Sequence, residues 1–172
     1  IRKQIILSTQ VQIKGGEIDM GNRAVISNRE KWRDVAIYVH WNGGRPSIEA
    51  FLKYARDKKL RDDNYGLARL TQIICNYFGG SLSVGVGNID RLDTDGDHGV
   101  YEISNWEIVG RRNNDPSYEE TDPSGEYQAG VYNVVAETND EFFSRGLNDI
   151  PVIELPMPKA KKKWDEIQER NK

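Results

Sequence analysis

The run Val35-Ala36-Ile37-Tyr38-Val39, followed at once by His40-Trp41-Asn42-Gly43-Gly44, constrains the fold of this chain more than any other stretch. An unbroken apolar run with β-branched side chains suits a central strand buried on both faces. Asn42-Gly43-Gly44 then demands a turn, because glycine reaches backbone conformations that other residues enter only with strain. Pro46 fits the first turn of a helix, where its missing amide hydrogen is not needed. Ile48, Phe51, Leu52 and Ala55 follow at i, i+3, i+4 and i+7, the spacing of one apolar helix face.

The same patterns extend along the chain. Residues 5–14, rich in Ile, Val and Thr, read as a strand broken by Gly15-Gly16. Asn22 to Ser27 forms a hairpin with Val35 to His40, connected through Asn28 to Arg33. The first helix ends near Leu60, and Arg61-Asp62-Asp63-Asn64 offers a cap to a second helix from about Tyr65 to Phe78. Gly79-Gly80 stops that helix. Leu82, Val84 and Val86 alternate with Ser83, Gly85 and Gly87, as a strand requires. Val100 to Ile103 and Trp106 to Val109 are further strands. The expected fold class is α+β, with a mixed or antiparallel sheet and two consecutive amphipathic helices packed on it.

This core spans residues 1–112. Residues 113–154 form an acidic loop and strand region that completes or decorates it. Within that region Asn113 to Gly130 reads as a long loop, Gly130 to Ala136 as a strand and Glu141 to Leu147 as a short helix. Residues 155–172 read as a stiff Leu155-Pro156-Met157-Pro158 spacer and a charged C-terminal helix with Trp164 and Ile167 as its docking stripe.

At 172 residues, one domain with an appended arm is the expectation. No run approaches the roughly 20 apolar residues that a membrane helix needs, and Ile1 to Leu7 is too short for a signal-peptide core. Cys75 is the only cysteine, which excludes an internal disulfide and fits a reducing, cytoplasmic setting. Charge is sorted along the chain. Residues 1–112 carry 17 basic and 14 acidic side chains, whereas 113–154 carry Arg145 against ten acids. An acidic block of this kind either stays solvated or docks a basic partner surface.

Several residues carry candidate chemistry. His40 and Cys75 are the one possible thiol–imidazole pair, with Asn42, Asn76 or Asp62 as the orienting group. Cys75 falls late in the second helix, however, whereas reactive cysteines favour helix starts. Asp93, Asp95 and Asp97 alternate as hard oxygen ligands would, but an EF-hand loop begun at Asp93 places His98 at the glycine position and Ser104 at the final glutamate position. A turn between strands explains them as well. Arg23, Lys31 and Arg33 gather around the first hairpin as candidate phosphate contacts, interleaved with acids. One Cys and two His do not close a structural zinc site. Phosphate-loop, dinucleotide, GxSxG and HExxH patterns are absent from the sequence. No cofactor is expected.

Gly21-Asn22-Arg23-Ala24-Val25-Ile26, His40-Trp41-Asn42-Gly43-Gly44, Tyr65-Gly66-Leu67-Ala68-Arg69 and Gly99-Val100-Tyr101 together carry a resemblance. Over about residues 20–112 the chain resembles small proteins of phages and mobile elements of Gram-positive bacteria. The resemblance brings no assigned activity. It implies a mobile-element setting, in which small proteins bind and block host defence machinery, CRISPR nucleases included. The expectation is therefore an interaction protein that inhibits a host nuclease with a basic channel, not a membrane protein, with direct nucleic-acid binding disfavoured. Glu119, Glu120, Asp122, Glu126, Glu141 and Trp41 are its candidate partner contacts. A small enzyme using His40 with Cys75 or Asn42, and a nucleic-acid-binding accessory protein, stand beside it.

Overall fold

The computed structural model describes residues 13–14, 17–18, 22–118, 121–144 and 169. It divides into two compact units, residues 1–140 and 141–172. Near the start, β1 (Ile13–Lys14) and β2 (Glu17–Ile18) form a small antiparallel hairpin across the expected Gly15-Gly16 break. The rest of the expected first strand, residues 5–12, lies outside the described residues, as does the expected C-terminal helix apart from Glu169.

The main sheet contains β3 (Ala24–Ser27), β4 (Val35–Val39), β5 (Val84–Asn88), β6 (Val100–Ser104) and β7 (Glu107–Arg112). Its order is β5-β4-β3-β6-β7. β3 pairs antiparallel with β4 and parallel with β6, so the sheet is mixed. The hairpin link between β3 and β4 is a four-residue helix, α1 (Arg29–Trp32), capped by Asn28, whose side chain accepts from the Lys31 amide at 3.1 Å.

Strand alternation sorts the side chains into two layers. Ile26, Ile37, Val39, Tyr101 and Ile103 lie on one face, buried beneath α2 (Arg45–Asp57) and α3 (Asn64–Phe78). Val25, Ala36, Tyr38 and Val100 lie on the other, covered by Ile89 and Leu92 from the segment after β5. The fold is thus α+β, with two consecutive helices on a mixed five-stranded sheet. Two tryptophans tie the helix pair down. Trp32 donates to the carbonyls of Asp62 and Asp63, and Trp106 donates to that of Leu60 at 2.7 Å. Asp63 then caps α3, and Gly79 ends it at φ +72 in the left-handed region.

One element overturns the sequence reading. Gly130 to Ala136 is not a strand; it lies inside α4 (Glu126–Phe143). Val131, Val134 and Val135 supply the β-propensity behind the strand expectation. Packing decides otherwise, because Val131, Val135 and Asn139 recur every fourth residue and are all buried. Asp122 starts the helix: its carboxylate accepts from the amides of Gln128 at 2.8 Å and Tyr127 at 3.4 Å. The irregular stretch before α4 is correspondingly shorter than expected and contains a 3-10 turn at Pro116–Tyr118. Only the start of the expected Glu141–Leu147 helix is described, as the end of α4.

Candidate functional site: a polar corner and an acidic helix

The turn after β4 is explained almost completely by packing. Asn42 sits at φ +56, a conformation that asparagine tolerates better than most residues. Its Nδ2 lies 3.2 to 3.3 Å from the hydroxyls of Ser47, Tyr77 and Tyr127, which joins the turn to α2, α3 and α4. A Cβ on Gly43 would stand 2.5 Å from the Asn22 carbonyl oxygen and 2.8 Å from the Ala24 Cβ. The Gly44 amide donates to Asn22 Oδ1 at 2.8 Å. Asn42 is thereby committed to holding the turn.

His40 leaves this turn toward the face opposite the helices. Its Nδ1 lies 2.9 Å from the Tyr38 hydroxyl, and its ring meets Trp41 edge-on at 4.9 Å between centroids. Burial raises Tyr38 above the usual phenol range, with the charges of Asp93 and Asp97 adding to that and Arg23 opposing it. The phenol and the imidazole are thus joined by one hydrogen bond at the end of β4.

Cys75 belongs to a different place. It lines a shallow groove of about 330 Å³ with Leu67, Ala68, Thr71 and Val86 on the helix-covered face. Val86 pairs with Ile37, one position from Tyr38, so the sheet stands between this groove and the Tyr38–His40 pair. Burial pushes the thiol up, away from the thiolate. The thiol–imidazole pair is not formed, and Asn42 does not orient one.

The same corner collects residues expected to serve separate purposes. Arg23 donates to Asp97 through Nε and one terminal nitrogen, both at 3.3 Å, and to Asp93 at 3.0 Å. The Arg23 amide also donates to Asp97 at 2.9 Å. Burial alone would raise the Asp97 carboxyl, but the Arg23 hydrogen bonds and charge outweigh it and hold the group below the usual carboxylate range. Asp95 is exposed. Among the described residues no three His, Cys, Asp or Glu side chains gather to hold a metal ion. Arg23 neutralises two of the three candidate ligands, and they in turn remove it from phosphate contact. Lys31 pairs with Glu30 at 3.1 Å, while Arg33 is exposed at φ +55.

His98 is the residue that sequence reasoning missed. Read as part of a turn, it is 1% exposed and bound by Arg111, which donates to its Nδ1 at 3.2 Å and to its carbonyl at 3.1 Å. Arginine can only donate, so Nδ1 is an acceptor and the ring is neutral. Burial first, and the Arg111 charge second, push its pKa down to about 4.

The acidic region resolves into distinct parts. Asp122 caps α4, Glu126 is exposed in its first turn, and Glu141 is exposed beyond the boundary between the two units. Glu119 and Glu120 lie outside the described residues. α4 carries Glu126, Glu137, Asp140 and Glu141 and no Lys or Arg. Asp140 is consumed internally, by Lys58 at 2.7 Å and the Tyr54 hydroxyl at 2.9 Å. Glu126 and Glu137 are exposed and unpaired among the described residues, and Tyr127 beside Glu126 is 51% exposed.

The fold and its sites define an α+β protein with a five-stranded mixed sheet, α2 and α3 packed on it and the acidic helix α4 against them. Set against protein-family models, curated proteins and solved structures, the chain matches none. No helix among the described residues is long and apolar enough to cross a membrane.

Proposed function

We propose that the protein acts inside the bacterial cell as an interaction protein that binds a basic surface, the nucleic-acid channel of a CRISPR-type defence nuclease, and blocks it. The observation that carries this reading is the sorting of charge on α4. Its acids include Glu126 and Glu137, exposed and without a cation partner among the described residues, with Tyr127 as an adjacent aromatic anchor. Charge complementarity of this kind steers association and selects partners, and a buried tyrosine anchor is a frequent source of interface energy. The mobile-element resemblance supplies the class of partner.

Internal ion pairing counts against direct nucleic-acid binding as the main role. Arg23, Lys31, Lys53, Lys58 and Arg61 each pair with a carboxylate of this chain. A catalytic reading through His40 rests on the Tyr38–His40 pair alone. Replacing His40 with Gln should leave partner blocking unchanged, and its loss in that variant would favour the catalytic reading.

The test is a cleavage assay with a purified CRISPR nuclease and guide, the protein being added in micromolar excess. The expected result is loss of cleavage that weakens as salt rises. Unchanged cleavage across the nuclease types of the host, with no complex by size exclusion, would remove the proposal.

A further inference from the structure

Among the described residues β5 is the outermost strand of the sheet, and its outer edge is undefended. The bonds His40 N to Ser83 O at 2.9 Å and Ile89 N to Asp34 O at 2.7 Å fix which groups face β4. Antiparallel pairing alternates, so residues 83, 85, 87 and 89 bond inward while Val84, Val86 and Asn88 direct their backbone groups outward. Val84 N is already taken by the Ser81 carbonyl at 3.0 Å. Asn88 caps the 3-10 turn Ile89–Arg91, which takes its carbonyl, so among the described residues the Val84 carbonyl, both groups of Val86 and the Asn88 amide are left for another strand.

Natural edges are usually blunted by charges, proline or bulges. The opposite edge follows that rule: β7 carries Glu107, Arg111 and Arg112, and the ladder joining it to β6 shifts register at Glu102/Ile103. β5 does not follow it. From Leu70 to Ile89 the chain has no charged residue at all, a stretch that covers most of α3 and the whole of β5. Leu82 is 104% exposed just before the strand, and Val86 is 51% exposed within it. The adjoining groove of Leu67, Ala68, Thr71, Gln72 and Cys75 is likewise uncharged.

We infer that this edge pairs with the same edge of a second copy of the chain, antiparallel and two-fold symmetric about Val86. A two-fold interface places each group against its own kind, so an uncharged surface is the one that self-association tolerates. The available donors and acceptors match this register. Val86 exchanges both backbone bonds with its symmetry mate, and each Asn88 N–H meets a Val84 C=O. The Val84 N–H, which would otherwise compete for a partner, is held by Ser81. The two Val86 side chains then lie side by side on the helix-covered face, at the mouth of the two grooves, with Leu82 flanking them. A strand from a different protein would need only the open edge, whereas absence of charge on both sides favours the second copy. The inference is independent of the nuclease reading, because it uses none of the residues on α4.

The experiment is sedimentation equilibrium of the full chain across the micromolar range, with Val86→Lys and Val86→Glu as variants. Val86 is half exposed, so both variants should keep the wild-type circular dichroism and cooperative unfolding. Wild type should be dimeric. Each variant alone should associate at least about tenfold more weakly, a difference of about 1.4 kcal/mol, and an equal mixture of the two should regain the dimer through opposite charges at the axis. A monomeric wild type would overturn the inference, including one that gains a strand only from a foreign peptide. So would a dimer indifferent to both substitutions, or a mixture that stays monomeric while its components remain folded.

Discussion

At the scale of single residues, much of this molecule depends on where one atom is missing or one proton is withheld. Gly43 has no room for a side chain between Asn22 and Ala24. Gly43→Ala should cost about 1–3 kcal/mol, the usual penalty of overpacking, measured by denaturant unfolding. A change within experimental error would mean that the turn is looser than the geometry implies. His98 gives a pH signature. Its folded pKa of about 4 lies below its unfolded value of 6.5, so the unfolded chain takes up the proton first. Stability should therefore fall as pH drops from about 6.5 to about 4, by up to roughly 3 kcal/mol for this group. Asp97 acts in the same direction, since its depressed carboxyl loses its contribution as pH falls through its folded value. Comparing wild type with His98→Gln isolates the histidine, because glutamine can still accept from Arg111. Parallel stability curves for the two proteins would contradict this assignment.

At the scale of elements, α4 is held by a polar join as well as by its valines. Asn139 is fully buried; it accepts from Asn76 at 2.8 Å and donates to the Ile73 carbonyl at 3.2 Å. Asn139→Ala leaves the Asn76 amide without this acceptor, removes a second bond from the Ile73 carbonyl and should cost about 1–3 kcal/mol. A double-mutant cycle with Asn76→Ala should show coupling, and strict additivity would deny the contact. The elements legible in the sequence are those whose local pattern and tertiary role agree. Val35–Val39 is apolar throughout because both faces are covered, and Ile48, Phe51, Leu52 and Ala55 mark the helix face that packs on the sheet. α4 was hidden because its three valines favour a strand locally, while the helix is fixed by distant partners on α2 and α3. The parallel pairing of β3 with β6 had no local signal either. Arg23 and Asp97 stand 74 residues apart, so by themselves one suggests a phosphate contact and the other a metal ligand, whereas in the fold each is the other's counter-ion. His98 was hidden for the same reason: a Gly- and Asp-rich loop looks exposed until the strand carrying Arg111 closes over it.

At the scale of the whole molecule, most described cations of the α+β core pair with carboxylates of the chain, while α4 carries four acids and no Lys or Arg, and its Glu126 and Glu137 have no cation partner among the described residues. That asymmetry makes binding to a basic partner the proposed role. It also makes a prediction that neither a catalytic His40 nor a phosphate-binding hairpin shares. The direct measurement is the inhibition constant against a susceptible CRISPR nuclease, for wild type and for the Glu126→Lys, Glu137→Lys double variant. Both positions are exposed, so the variant should unfold like wild type. The account predicts that it inhibits at least about tenfold more weakly, a difference of about 1.4 kcal/mol, and that its inhibition is less sensitive to salt. Equal inhibition by the two proteins, with equal salt dependence, would contradict it.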